Sequence, residues 1–105
     1  MNASFYAAQV IGYVGHVRQR AASGGSVYAV SVCITVPPTD GSESPTHEWV
    51  EGILSGALAA AVGPHLSPGR LIYLDGPLTH KRYVKKDGTP GVADRIKVCN
   101  FRFLD

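Results

Sequence analysis

One segment of the chain has helical character, and its position restricts the fold. Within Ser55–His65, alanine and leucine predominate, Leu54, Leu58 and Ala61 recur at near-helical spacing, and Gly63-Pro64 ends the pattern. The other apolar segments are rich in β-branched and aromatic residues and are bounded by glycine, proline and serine. The sequence therefore predicts an all-β protein with one short helix.

Five strands are predicted around this helix. They are assigned to Phe5–Val14, Val27–Val36, Thr46–Leu54, Arg70–Tyr83 and Val92–Leu104. Arg18–Ser26 contains Ser-Gly-Gly and is expected to be a hairpin connection, and Pro37–Pro45 is expected to be a mobile loop because proline interrupts a sheet ladder. The order β-β-β-α-β-β is that of the OB-fold, a five-stranded Greek-key barrel whose face and loops bind oligonucleotides or oligosaccharides.

The length of 105 residues is that of one domain, assigned to residues 1–105, without a repeat or linker. The longest uncharged apolar stretch, Gly52–Ser67, is shorter than the roughly 20 residues that span a bilayer, so no membrane association is expected. Met1–Ala8 lacks the basic start of a signal peptide, which predicts a cytoplasmic protein. Cys33 and Cys99 each lie in an apolar run and are expected to be reduced core residues, with a disulfide between them as the alternative.

Charge is distributed unevenly along the chain, although the net charge is only +2. Residues 1–79 contain three arginines against five acidic residues, whereas residues 80–104 contain seven lysines and arginines against two aspartates. A basic last quarter is typical of a surface that binds polyanions.

The sequence contains no pattern that supports catalysis. His16, His47, His65 and His80 are scattered without metal-ligand spacing, and Gly24-Gly25 lacks the lysine of a phosphate-binding loop. No nucleophile and base occur in a recognised local arrangement. We therefore expect a protein that is not an enzyme and that uses neither a metal nor a cofactor.

Several segments, in order over nearly the whole chain, resemble the bacterial single-stranded DNA-binding protein family. They are Val10–Gly15, Gly25–Val27, Thr46–Trp49, Leu66–Arg70, Ile72–Leu78, Tyr83 and Asp87-Gly88. The resemblance implies an OB-fold barrel over which single-stranded DNA wraps, with bases stacked on a few aromatic residues and basic side chains along the path. It also implies a homotetramer, with a dimer as the alternative, and replication or recombination proteins as partners.

By the same resemblance, Trp49 occupies the place of a stacking tryptophan and Tyr83 that of an aromatic in the hairpin between strands four and five. Lys81 and Arg82 match the basic positions just before Tyr83. Ser55 departs from the pattern, because a stacking aromatic is usual there. The family also continues into a glycine-rich linker and an acidic tip, which this sequence lacks.

The residues themselves fit this role, because an aromatic side chain stacks on any base. Alternation along strand three predicts that Trp49 points outward beside Glu51, whose carboxylate would repel phosphate. The basic residues expected along the DNA path are Arg18, Arg20, Lys81, Arg82, Lys85, Lys86, Arg95 and Lys97. The alternatives are that Trp49 is a core residue, that Tyr83 packs on its own hairpin and that the charges only solvate the surface.

The predicted function is single-stranded DNA binding without sequence preference, by base stacking and phosphate contacts, in replication, recombination or repair. The sequence leaves RNA binding open. One alternative is a replication accessory resembling the primosomal protein PriB, which is also short and tailless and would act mainly through protein partners. Another is an OB-fold module for protein interaction or carbohydrate binding, since a fold alone does not specify a function.

Overall fold

The structure, a computed structural model, describes residues 6–38, 41 and 44–105. Its strands are β1 (Tyr6–Ala22), β2 (Gly25–Val36), β3 (Thr46–Leu54), β4 (Leu71–Val84), β5 (Pro90–Lys97) and β6 (Asn100–Phe103). The helix α1 spans Gly56–Val62 and is followed by a 3-10 turn at Gly63–His65. The predicted order β-β-β-α-β-β is thus confirmed, and a sixth short strand follows the fifth.

The sheet closes on itself to form a barrel. Its hydrogen-bonded order is β1-β2-β3-β5-β4, and β4 also pairs with β1, which completes the ring. Among the described strands, only the β3–β5 pairing of the ring is parallel; β1–β2, β2–β3, β4–β5 and β1–β4 are antiparallel. This ring of five strands with a helix between β3 and β4 confirms the predicted OB-fold.

The core consists of side chains that alternate inward from the strands. Those with essentially no exposed surface are Leu54, Ile72, Leu74, Ile96, Val30 and Val32. Each contributes about 1.5–3 kcal/mol relative to an exposed position. Ala59 of α1 is buried in the same cluster, and Gly63 leaves space for the ring of Tyr28. The helix therefore closes one end of the barrel.

The first hairpin differs from its prediction. β1 continues to Ala22 and pairs Arg18 with Ala29 and Arg20 with Val27, so both arginines lie in a strand and not in a loop. A register irregularity between Val14 and Val17 keeps the long strand paired with β2 while it bends around the barrel. The predicted start at Phe5 lies outside the described residues.

The last strand also differs from its prediction, because it is divided in two. Val98 is buried and its N–H donates to the Ile53 carbonyl, while the Cys99 N–H donates to the Asp75 carbonyl, both outside a regular ladder. The Lys97 carbonyl approaches the barrel at Gly76, where any side chain would collide with it. Pairing with β4 resumes after this irregularity as β6.

Other predictions have mixed outcomes. Cys99 is exposed and Cys33 is half-buried, so the expectation of two core cysteines was wrong: Cys33 follows the outward alternation of β2 and Cys99 follows the end of β5. Both are free among the described residues. Of the predicted loop Pro37–Pro45, residues 39, 40, 42 and 43 lie outside the described residues, and the remainder is neither helix nor strand. No helix in the described part of the chain is long and apolar enough to cross a membrane.

Candidate nucleic-acid interface

Trp49 lies on the outer face of β3. Val50 and Leu54 point into the core, whereas the Trp49 side chain is 56% exposed, so the outward orientation is confirmed and the core alternative is wrong. Its ring extends over β2 to Gly15 of β1, where an added Cβ would lie 2.7 Å from Trp49 Cη2. The ring therefore rests on a glycine while more than half of its surface remains available to a base.

Tyr83 has a similar support at the other end of the surface. It lies on β4 opposite Gly91 of β5, and a Cβ at Gly91 would lie 2.7 Å from Tyr83 Cζ. The tyrosine nevertheless keeps 44% of its surface exposed. Tyr83 thus packs on its own hairpin and is also available for stacking, as is usual for an aromatic over a cross-strand glycine.

A groove of about 660 Å³ lies along the outer face, lined by residues of β1 to β5. Its basic lining residues are Arg18, Arg20, Lys81, Arg95 and Lys97. Its apolar lining comes from Val27, Ala29 and Ile53. Ser55 also lines it, so the position without the expected aromatic belongs to this surface. A second hollow, which contains His16 and Ser31, shares Arg18, Ala29 and Glu51 with the groove and extends it toward Trp49.

Glu51 lies at the centre of the groove but is paired with two cations. Its carboxylate accepts a hydrogen bond from Arg95 Nε at 2.8 Å and one from Arg18 Nη2 at 3.3 Å. The side chain of Glu51 is 22% exposed and that of Arg95 is 33% exposed. Glu51 therefore does not present an isolated negative charge to a polyanion.

The remaining predicted basic residues follow the β4–β5 hairpin away from the groove. Lys81 and Tyr83 alternate onto the same side of β4, whereas Arg82 lies on the opposite side together with Val84. Lys85 and Lys86 are exposed at the tip, where the Gly88 N–H donates to the Lys85 carbonyl at 2.9 Å. The structure therefore brings five of the eight predicted basic residues into the groove, and Arg82, Lys85 and Lys86 lie outside it.

Sequence reasoning missed the two glycines that support the aromatic rings. Gly15 was noted only as the last residue of the segment Val10–Gly15, and Gly91 was assigned no role. The signal in the sequence is weak, because a glycine pairs with a distant aromatic only when strand register is known. Also missed was the pair that His80 Nδ1 forms with Asp94 at 2.8 Å on the hairpin. In the described part of the chain, no three histidine, cysteine, aspartate or glutamate residues converge as metal ligands.

A second outward surface, which we call the β1–β4 face, has a different character. Ile11 and Tyr13 are 59% and 56% exposed, and Ile11 pairs directly with the half-buried Tyr73. The Tyr73 hydroxyl donates to Asp75 at 2.6 Å, and Asn100 Nδ2 donates to the same carboxylate at 2.9 Å. The hydrogen bond from Tyr73 is the main reason that the pKa of Asp75 is lowered, and it raises the pKa of Tyr73 in turn.

The tyrosines therefore divide between core and surface. Tyr28 is buried, Tyr73 is half-buried and Tyr13 is exposed, and the side chain of Tyr6 is outside the described part. An exposed Tyr13 fits an interface but not a core.

Comparison with known proteins gives matches in structure only. No family model matches the chain, and no curated protein matches its sequence. The small single-stranded DNA-binding protein from Streptomyces coelicolor matches with a TM-score of 0.81 over 96% of this chain and 95% of its own, at 16% identity. The Plasmodium falciparum SSB, solved in complex with ssDNA, matches with a TM-score of 0.76 at 21% identity, over 100% of both chains. At these identities the likeness establishes the fold, and it agrees with the resemblance that the sequence segments indicated.

Proposed function

We propose that this protein binds single-stranded DNA without strong sequence preference, and that it acts by binding and not by catalysis. The observation that carries the proposal is one outer surface on which two exposed aromatic rings, Trp49 and Tyr83, flank a groove lined by five basic side chains. The fold match to a protein solved with ssDNA supports the same class of ligand. Coating of single strands in replication, recombination or repair, in the cytoplasm, is the corresponding role.

The chemistry of this surface suits a ligand of any sequence. Each base stacked on an aromatic ring contributes about 1–3 kcal/mol whatever its identity. Arginine and lysine in the groove bind phosphates, which are common to all nucleotides, and release condensed cations. Arg18, Arg20, Lys81, Arg95 and Lys97 are proposed to act within the groove, and Arg82, Lys85 and Lys86 along the hairpin beyond it.

A titration with oligo(dT) tests the proposal, because Trp49 is the single tryptophan and reports directly on stacking. We expect quenching of Trp49 fluorescence and an affinity that falls with salt, with a slope of log K against log salt of about 0.7 per phosphate contact. Oligo(dA) and oligo(dC) are expected to bind within a small factor of oligo(dT). Absence of both quenching and binding would refute the proposal.

A homo-oligomer, a tetramer or alternatively a dimer, is proposed to cover the β1–β4 face. Ile11 and Tyr13 are large apolar residues that lie side by side with the half-buried Leu71 and Tyr73 on β4, a surface of the kind that associates with a protein. Light scattering at micromolar concentration tests this, with Ile11→Asp as the disrupting variant. A monomeric wild-type protein would contradict the oligomer and leave the DNA-binding proposal in place.

One observation favours a second candidate, an accessory that binds DNA weakly and acts through a protein partner. Ser55 lines the groove at the position where a third stacking aromatic was expected, which lowers the number of bases the surface can hold. Ser55→Phe separates the candidates: a gain in oligo(dT) affinity shows that the groove accepts a base at this position. An unchanged affinity, together with weak wild-type binding, favours the accessory role.

A further inference from the structure

We propose that Glu51 is a positioning residue for phosphate binding: its carboxylate holds Arg95, and more loosely Arg18, in the geometry in which they meet the DNA backbone. This inference rests on the proposed function. Among the described residues that line the groove, Glu51 is the one acidic side chain, and the others are basic, apolar or neutral polar. A carboxylate in the groove repels phosphate, so it would weaken DNA binding if it did not also position the neighbouring arginines.

The contacts of Glu51 are unequal, and the better one is to Arg95. Glu51 and Arg95 are direct neighbours in the parallel β3–β5 pairing, and Arg95 Nε donates to Glu51 Oε1 at 2.8 Å. Arg18 must reach across β2, contacts Oε2 at 3.3 Å and remains 77% exposed. Glu51 therefore orders the Arg95 side chain more than that of Arg18.

The hydrogen bond leaves the phosphate-binding part of Arg95 free. A guanidinium carries five N–H donors, and the bond to Glu51 uses the single one on Nε. Among the described residues, no acceptor bonds the two Nη nitrogens of Arg95, and these form the fork that grips a phosphate. The backbone of the same residue is also held, because the Thr79 hydroxyl donates to the Arg95 carbonyl at 3.2 Å.

Two effects of Glu51 on phosphate binding therefore oppose each other. Its negative charge repels phosphate, although two adjacent cations and salt screen that repulsion. Its hydrogen bond orders a long side chain before DNA arrives, so that less rotamer entropy is lost on binding. A single substitution of Glu51 measures only the sum of these two effects on DNA affinity. The effects are separated by measuring the same substitution once with Arg95 present and once with Arg95 replaced.

The experiment is a double-mutant cycle of Glu51→Gln with Arg95→Ala, measured as oligo(dT) affinity at several salt concentrations. Glu48→Gln is the matched control, because Glu48 is an exposed glutamate on β3 with no salt bridge among the described residues. It removes the same charge without releasing an arginine. A thermal melt of each variant verifies that the barrel stays folded.

We expect Glu51→Gln to bind about fivefold more weakly than Glu48→Gln, which corresponds to the cost of ordering one long side chain on binding. Its salt slope should fall by about 0.7, the contribution of one phosphate contact on a single strand. In the Arg95→Ala background Glu51→Gln should no longer bind more weakly than Glu48→Gln, because the arginine that Glu51 holds is absent and only a phosphate-repelling charge is removed. In the free protein, the Arg95 Nε–H signal in an NMR spectrum should broaden in Glu51→Gln and remain sharp in Glu48→Gln.

Equal effects of Glu51→Gln and Glu48→Gln in both backgrounds would overturn the positioning role. If the wild-type protein still binds oligo(dT) in that case, the proposed function is unaffected. Loss of wild-type oligo(dT) binding would overturn the proposed function and this inference together. The two failures are thus distinguished by the wild-type titration alone.

Discussion

The groove and the β1–β4 face each contain an outward carboxylate, and the two carboxylates have different partners. Glu51 is bonded by two arginines, whose remaining donors stay in the groove. Asp75 is bonded by a tyrosine hydroxyl and a side-chain amide, both neutral. Several basic side chains thus line the groove, whereas the polar groups around Asp75 bond each other and the β1–β4 face exposes Ile11 and Tyr13 beside Arg102.

The same contrast holds for the aromatic residues of the two faces. Trp49 and Tyr13 are equally exposed, at 56%, and both are cross-strand partners of Cys33. Trp49 lies next to the basic groove, while Tyr13 lies beside Ile11 and Leu71. Exposure alone therefore does not distinguish the two rings; their positions relative to the basic groove do.

The largest expected effect is that of Trp49→Ala, compared with Tyr13→Ala. Loss of one stacking platform should weaken oligo(dT) binding by about 1–3 kcal/mol. Tyr13→Ala removes an aromatic of the same exposure two strands away, beside Ile11 and Leu71, and should leave monomer affinity nearly unchanged. Fluorescence anisotropy of a labelled oligonucleotide measures both, and equal losses would remove the distinction between the faces.

A smaller effect is expected from Gly15→Ala, because its methyl group would occupy the space of the Trp49 ring. The ring must then lift from β1, which should weaken binding by about 1 kcal/mol, the lower end of stacking energies. Trp49 emission should shift in the free protein as well. Gly24→Ala is the control, since nothing lies within 4 Å of its added Cβ, and an identical pair of spectra would show that Gly15 does not support the ring.

Lys85→Glu should have a weaker effect still, below about 1 kcal/mol, because Lys85 is exposed at the hairpin tip outside the groove. The salt slope should fall by about 0.7 if one phosphate contact is lost. Arg102→Glu makes the same charge change on the β1–β4 face, where Arg102 pairs with Tyr73. If the salt slope of DNA binding changed only in Arg102→Glu, the β1–β4 face and not the groove side would be the DNA-binding surface.

The smallest effect concerns stability at acid pH. The pKa of Asp75 is lowered from 3.8 in the folded protein, mainly by the Tyr73 hydrogen bond, so its ionised form stabilises the fold above that value. This stabilisation is lost as the pH falls below 3.8 through the folded pKa. Thermal melts from neutral pH to about pH 3 should show a shallower decline for Asp75→Asn. Parallel curves for the variant and the wild type would contradict the role of Asp75.

Local pattern was a good guide to β3 and to the helix. The assignment Thr46–Leu54 is identical in the structure, and inward and outward residues alternate in it from Trp49 to Leu54. It was a poor guide to β1, where the polar residues near Arg18 suggested a loop. Strand pairing with β2 overrides that local preference, since exposed polar side chains are tolerated on a paired strand.

The sequence by itself determined the order of the five strands and the helix and the outward position of Trp49, since these follow from the residue pattern within single segments. Only the tertiary structure decided which distant residues meet. Closure of the barrel through the parallel β3–β5 pairing places Arg95 beside Glu51, 44 residues away, and the β1 irregularity places Gly15 under Trp49. The physical reason is that contacts between strands depend on register and closure, which no local pattern encodes.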